Sequence, residues 1–354
     1  MSPQTRFIPK QLLRQEFLLL MVVLLEVGFF LCTAKNFGTS DNISNIIRHS
    51  AEIGLLTLAM MPVILTGGID LSVGSLMGFC AVMFGVITHD WHVATPPAAA
   101  LTLLAGLLAG AFNALLITAL RLPPLIVTLG TYSLFRGLAE AITQGTKTYR
   151  SFDSDFINLG EIHWVGMPIQ AWIFASAALF FYLLVHRTTF GRSFRAIGFS
   201  PEGTRYAGIS VQKRTALPYL LTGITAALAS LLFTARLHQA RADAGMGYEL
   251  YAVTAVVLGG TSIFGGTGTV HGTLAGITAI AVLSNGIGRV PAVFKAGVGG
   301  ELAALLTGAL LLIALTAPGI GNHLAKMFAK DSTNLEKLKP SVSQHAQKTP
   351  ILPS

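Results

Sequence analysis

Apolar runs of membrane-spanning length recur along almost the whole chain, at about 17–34, 53–67, 72–89, 97–120, 123–143, 168–186, 215–235, 251–265, 268–287 and 302–318. Crossing a bilayer takes roughly 20 apolar residues in a helix. The pattern therefore predicts an all-α, polytopic integral membrane protein with about ten transmembrane helices. Composition agrees, since 52% of residues are apolar and only 11% are charged. A soluble domain is about a quarter charged, so this chain has too few charges to cover a water-facing surface of its own size. Ten spans would use about 200 positions, which leaves no room for a large soluble domain. Arg6, Lys10 and Arg14 ahead of the first run superficially resemble a signal peptide. The run is longer than a signal core, and further apolar segments follow it. It reads as a retained first span.

The positive residues predict the orientation, because cytoplasmic loops are enriched in lysine and arginine. The loop 187–214 carries Arg187, Arg192, Arg195, Arg205, Lys213 and Arg214 against Glu202. The head segment 1–16 has three basic residues against Glu16, and the tail 319–354 has Lys326, Lys330, Lys337, Lys339 and Lys348 against Asp331 and Glu336. All three are expected in the cytoplasm, so both termini lie inside and 17–318 forms the transmembrane domain. The tail is rich in Ser, Lys, Pro and Gln, a composition expected to be disordered. On the outer side, 144–166 carries Asp153, Asp155 and Glu161 against Lys147 and Arg150. Lys35 and Arg48 oppose the scheme, but two charges do not outweigh six. In this setting the net charge of +8 sets topology and gives no reason to expect a nucleic-acid partner.

Two stretches echo each other. PVILTGGIDLSVGSLMG at 62–78 and VVLGGTSIFGGTGTVHG at 256–272 both place a Gly-Gly pair and a few polar residues between an apolar run and the next span. Transporters build substrate sites from such repeated broken helices. Glycine used for close helix packing would produce the same look.

Asp70 is the acid most deeply embedded in apolar sequence. A carboxylate at the bilayer centre costs about 2.5–3.5 kcal/mol on insertion scales, so it must be partnered, wet or near an edge. One role is to cap the third span by accepting its free backbone N–H groups; another is contact with substrate or gate. Arg136 and Glu140, at i, i+4 spacing toward the outer end of the fifth span, are expected to pair with each other on one helix face or to snorkel to the interface rather than to bind a ligand. Glu26 has no partner visible in the sequence. In the loop, Ser200-Pro201-Glu202 is a helix start, with an N-cap, proline at the first position and an acid at the positive end. Gly208 can end that helix. A helix this short is marginal alone and is expected either to dock on a partner or to lie on lipid headgroups.

Several chemistries are missing. No Gly-Lys dipeptide occurs, so no P-loop can cradle nucleotide phosphates. No H-E-x-x-H or Ser/His/Asp arrangement stands out, so no catalytic residue, metal site or cofactor is expected. Cys32 and Cys80 both sit inside apolar runs and read as small core residues.

Three segments together, ILTGGIDLSVGS at 64–75, GRSFRAIGFSPEGTRYAGI at 191–209 and AVVLGGTSIFGGTGTVHGTLAG at 255–276, resemble the permease subunits of bacterial ABC importers for ribose and related sugars, including the rhamnose and autoinducer-2 branch. The resemblance runs from about residue 15 to 320. It implies an inner-membrane subunit that pairs with a second permease copy or paralogue, receives a sugar from a periplasmic sugar-binding protein, and is driven by a cytoplasmic ATP-binding subunit. The segment 200–208 would be the coupling helix, with Ser200, Pro201, Glu202, Gly203, Thr204, Arg205 and Gly208 facing the ATPase. The family's E-A-A-x-x-x-G motif survives in Glu202 and Gly208, whereas Gly203 and Thr204 replace its alanines. Alternating access would need only weak affinity in the pathway, for which Gly67, Gly68, Asp70, Ser72, Ser75, Thr128 and Tyr132 are the candidates. The competing class is a secondary transporter or channel, but ion coupling usually needs several intramembrane charges, and here they are few.

Overall fold

The computed structural model describes residues 10–314 and 316, the side chains of 10–18 excepted. The beginning of the head segment and the whole tail 319–354 thus lie outside the described residues. The elements are α1 Lys10–Thr33, α2 Ser40–Leu65, α3 Val73–Gly85 prolonged by a π-helical turn Val86–Asp90, α4 Thr95–Thr118, α5 Pro124–Thr143, β1 Tyr149–Arg150, α6 Ser154–Glu161, β2 His163–Trp164 and β3 Met167–Pro168. They continue with α7 Ile169–Tyr182 and its π-helical turn Leu183–Arg187, α8 Thr189–Phe199, α9 Pro201–Tyr206, α10 Val211–Leu237, β4 Gln239–Ala240, α11 Tyr248–Leu258, α12 Val270–Gly288 and α13 Pro291–Ala296, then α14 Gly299–Ala314. Among the described residues seven helices are long and apolar enough to cross a membrane. Shorter apolar helices at Leu19–Thr33, Tyr248–Leu258 and Gly299–Ala314 fall where the first, eighth and tenth apolar runs do. The chain divides after Leu311 into two units, the second described only through the end of α14.

At the centre lies α10, packed on α4, α2 and α3, while α11 and α12 form a second layer against α2, and α1 packs on α12. Glycine lets the inner helices touch backbone to backbone, as membrane interfaces require. Gly106 and Gly110, one turn apart on α4, lie against Gly223 of α10, and Gly272 at the start of α12 lies against Gly259 beyond α11. Leu55, Leu56, Met60, Met61 and Ile64 of α2 are fully buried, whereas Leu104, Leu108 and Leu115 of α4 and Leu179 and Phe180 of α7 are exposed. The outer helices thus present the apolar face that lipid demands.

Contacts define two opposite ends. At one end β1 pairs with β4 through Tyr149↔Ala240 and Arg150↔Gln239, and Arg48 at the start of α2 donates to the Glu161 carbonyl at 3.3 Å. Trp91, Trp164 and Trp172 are all exposed there, an aromatic belt of the kind that marks a membrane interface. At the other end the Gly266 N–H donates to the Leu65 carbonyl at 3.0 Å, and α9 emerges.

Two of the expected spans differ from the apolar runs. The second was expected from 53, but α2 begins at Ser40 behind the N-cap Thr39, whose hydroxyl accepts from Asn42 N at 3.4 Å. Its first turns read as polar because their partners are supplied by the fold. Asn42 donates to Asn285 at 3.0 Å, and Glu52 pairs with Arg236 at 2.7 Å. The eighth was expected at 251–265, but α11 ends at Leu258, where Gly259 and Gly260 break it. It also starts deep in the bundle, because His238, Gly245 and Gly247 take left-handed backbone and keep 241–247 out of any helix.

Candidate functional site

Three neighbourhoods concentrate the polar groups. The first is a buried knot around Asp70, whose side chain has no solvent exposure. Its Oδ1 accepts from the Ser72 N–H at 3.0 Å and the Ser72 hydroxyl at 2.6 Å, and its Oδ2 accepts from the Thr222 hydroxyl of α10 at 2.8 Å. Asn113 of α4 donates to Ser72 Oγ at 2.9 Å, and Thr128 of α5 donates to the Ile69 carbonyl at 3.0 Å. The tight 66–72 loop is therefore tied to three helices at once. Gly67 turns the chain at φ 83°, and Gly68 leaves room for the Tyr219 hydroxyl.

Capping by Asp70 takes a different form from the one expected. Ser72 is the residue that opens α3, and its side chain makes no cap bond to the helix. The carboxylate accepts one backbone N–H only, that of Ser72, and spends the rest of its capacity on side chains of Ser72 and α10. Gly68, Ser72, Ser75 and Thr128 are buried with it, Gly67 is exposed and Tyr132 is half-buried on α5. The sequence offered no signal for Asn113 or Thr222 as partners, because they arrive from helices 41 to 152 positions away.

The second neighbourhood is the half-helix α11 and the segment before it. The carbonyls of Ala242 and Ala244 lie against Gly78 of α3, and that of Gly245 against Gly74. Gly78 is twelve residues before Asp90, so this backbone sits about 18 Å below the tryptophan-bearing end. Arg136 reaches over Gly78 and donates to the Ala242 carbonyl. That contact replaces the expected Arg136–Glu140 pair: no such ion pair forms among the described residues, and Glu140 is exposed. The missing Cβ at Gly78 is what admits the guanidinium. Glu249, in the first turn of α11, is buried beside Gly74 with Oε2 unpaired. Arg241 and Asp243 pair with each other on the exposed side of the same segment.

The third is the α9 end. Ser200 caps α9, accepting from Gly203 N at 3.1 Å, Pro201 opens it, Thr204 is buried against the body of the protein, and Gly208 follows at φ 77°. Glu202, Gly203 and Arg205 are exposed, and Tyr206 is 92% exposed. Phe199 and Phe264 beside it are 70% and 86% exposed. Gly198 of α8, just behind α9, is wedged against the Leu65 carbonyl on one side and Gly265–Gly266 on the other. Arg195, one turn earlier, donates to the carbonyls of Val185 at 3.1 Å and Gly268 at 3.3 Å, and its burial holds the guanidinium below the usual arginine range. The segment just behind α9 thus touches the end of α2 and the glycine-rich loop 259–269, whose Gly265 in turn lies against Gly67 of the loop 66–72. Among the described residues no group of three His, Cys, Asp or Glu could hold a metal ion.

The family described as branched-chain amino acid transport system / permease component matches residues 42–315. The chain is similar to the autoinducer 2 import system permease protein LsrD of Escherichia coli O9:H4 (strain HS), at 35% identity over 292 residues covering 81% of this chain and 84% of that one. It is likewise similar to the protein of the same name from Enterobacter sp. (strain 638), at 34% over 310 residues covering 84% and 89%. No solved structure matches. The chain belongs to this family: it is a multi-pass, non-enzymatic permease subunit of an ABC importer of the bacterial inner membrane, in a system whose ATP-binding subunit and periplasmic binding protein are separate chains.

Proposed function

We propose that this permease carries a sugar or sugar-like solute of the autoinducer-2, ribose or rhamnose class, paired with a second permease copy or paralogue, and that α9 is the helix on which the ATP-binding subunit acts. The substrate class rests on the autoinducer-2 importers to which the chain is similar. The end bearing α9 faces the cytoplasm in this reading, in keeping with the basic loop 187–214.

The observation that carries the proposal is the position of Gly198. It joins α9 and its exposed aromatic neighbours Phe199 and Phe264 to the end of α2 and to the loop that starts α12, whose Gly265 lies against Gly67 in the loop that starts α3. A push on α9 would reach the N-termini of both helices through backbone contacts that have no slack. From α3 the movement would pass through Gly74 and Gly78 to the 241–249 segment.

The solute path would follow the wall made by α5 and 241–250. There Ser133, Gly137, Glu140 and Asp243 are exposed, and Arg241 is partly so. An exposed ion pair at that depth does not suit lipid, which favours a wet path or a facing second subunit. Gly67, Gly68, Asp70, Ser72, Ser75 and Thr128 then serve as the hinge at the inner end of the path, with Tyr132 on the wall helix.

Replacing Glu202 and Arg205 together by alanine is expected to lower uptake in vesicles roughly tenfold or more, the scale of losing one side of an interfacial charge pair. Membrane insertion should persist, and so should ATP hydrolysis by the partner. Both side chains are exposed, so folding does not depend on them. Normal uptake by the doubly substituted importer would remove α9 from the coupling role.

A further inference from the structure

We propose that Lys35, Arg289 and Lys295 form a binding site for the phosphate of an acidic phospholipid headgroup. The three cations line one cavity of about 480 Å³ together with Asn36, Pro291 and Phe294. No acid lines it, and none of the three makes an ion pair among the described residues. Three like charges converging without a counter-charge repel one another and raise the local affinity for an anion.

The site is built rather than incidental. The Lys35 N–H donates to the Arg289 carbonyl at 3.1 Å, which fixes the α1–α2 turn to the end of α12. Beneath it Phe30, Ala34, Phe37, Val282, Leu283 and Ile287 form a buried cluster, against which Val290 and Val293 pack. Gly286 gives the Phe30 ring its place. The short helix α13, opened by Pro291 and closed by Gly297 at φ 69°, then holds Lys295 over the cavity.

Its surroundings point to lipid rather than to a soluble ligand. Phe294, in the cavity wall, is 74% exposed. Phe29 and Leu31 of α1, Val298 just before α14 and Leu305 of α14 are also exposed, an apolar platform for acyl chains. The cavity lies at the end of the bundle that carries the three exposed tryptophans, the level of the headgroups. Cations between membrane helices at that level recognise acidic headgroups through their phosphates. The arrangement also gives a reason for Lys35, which runs against the charge bias that orients the chain.

The test is native mass spectrometry of the full chain in detergent, titrated with dioleoyl-phosphatidylglycerol or dioleoyl-phosphatidylcholine. Phosphatidylglycerol should be retained preferentially. Lys35→Gln, Arg289→Gln and Lys295→Gln together should weaken its binding by at least about tenfold, the scale for surface cations facing anionic lipid. Substituting three exposed cations elsewhere, Arg150→Gln, Arg192→Gln and Lys213→Gln, should leave it unchanged. Lys295→Gln alone, on an exposed side chain that folding does not need, should give a smaller loss in the same direction. Equal retention of the two lipids, an equal loss in the control variant, or binding unaffected by Lys295→Gln and by the triple change would overturn the proposal. So would complete displacement of the lipid by millimolar inorganic phosphate, which would mark a site for the free anion.

Discussion

Asp70→Ala is expected to destabilise the detergent-solubilised protein by about 2–4 kcal/mol, the cost of leaving two or more buried donors without an acceptor, and to abolish uptake. The carboxylate is the shared acceptor for the Ser72 N–H, the Ser72 hydroxyl and the Thr222 hydroxyl, and Ser72 is in turn held by Asn113. The side chain has no solvent exposure, and unsatisfied polar groups are dearer in a membrane protein than at a wet surface. Asp70→Asn keeps one acceptor oxygen in place and should cost less, about 1 kcal/mol on the scale of a single net hydrogen bond. Melting temperatures of the three proteins in one detergent give the ordering. An alanine variant as stable as the parent would mean that the knot holds nothing together.

Glu52→Ala is expected to cost about 3–5 kcal/mol, the range for breaking a buried ion pair from one side. Glu52 is fully buried and takes a two-pronged contact from Arg236, 2.7 Å to Nε and 3.0 Å to Nη2. Without it a largely buried guanidinium would lose its only carboxylate partner among the described residues. Removing both partners in Glu52→Ala/Arg236→Met should restore much of the loss, because the burden lies in the unpaired charge. The double-mutant cycle separates this from packing. Strictly additive losses would show that the two groups act independently.

The pair joins positions 184 residues apart, which is why no local pattern revealed it. The same holds for the start of α2. Asn42, Arg48 and Glu52 lower the hydropathy of 40–52 until it resembles a loop, yet each finds a partner in the fold, in Asn285, the Glu161 carbonyl and Arg236 respectively. By contrast α9 was legible residue by residue, since its serine cap, first-turn proline and terminal glycine act within a single turn. The apolar runs at 97–120 and 123–143 became α4 and α5 within a few residues, because lipid-facing helices must be apolar along their length.

The broken eighth run was harder. Val253 to Val257 is apolar enough for a longer helix, and only the left-handed turns at Gly245 and Gly247 show where α11 begins. Arg136 and Glu140 have the spacing of an intrahelical pair, but the non-helical segment before α11 offered Arg136 the Ala242 carbonyl instead, across the space that Gly78 of α3 leaves open. Tertiary contacts between glycine backbones carry no periodicity of their own. Asp70 could be recognised as demanding a partner, although which helix would supply it could not.

Uptake of radiolabelled sugar or autoinducer-2 into proteoliposomes tests the account most directly, with the permease present either alone or together with its ATP-binding subunit and binding protein. Accumulation against a gradient should appear only in the complete assembly supplied with ATP, and should vanish when ATP is withheld. Uphill accumulation by the permease alone, driven by an ion gradient, would contradict the reading of this chain as a pathway moved from outside through α9.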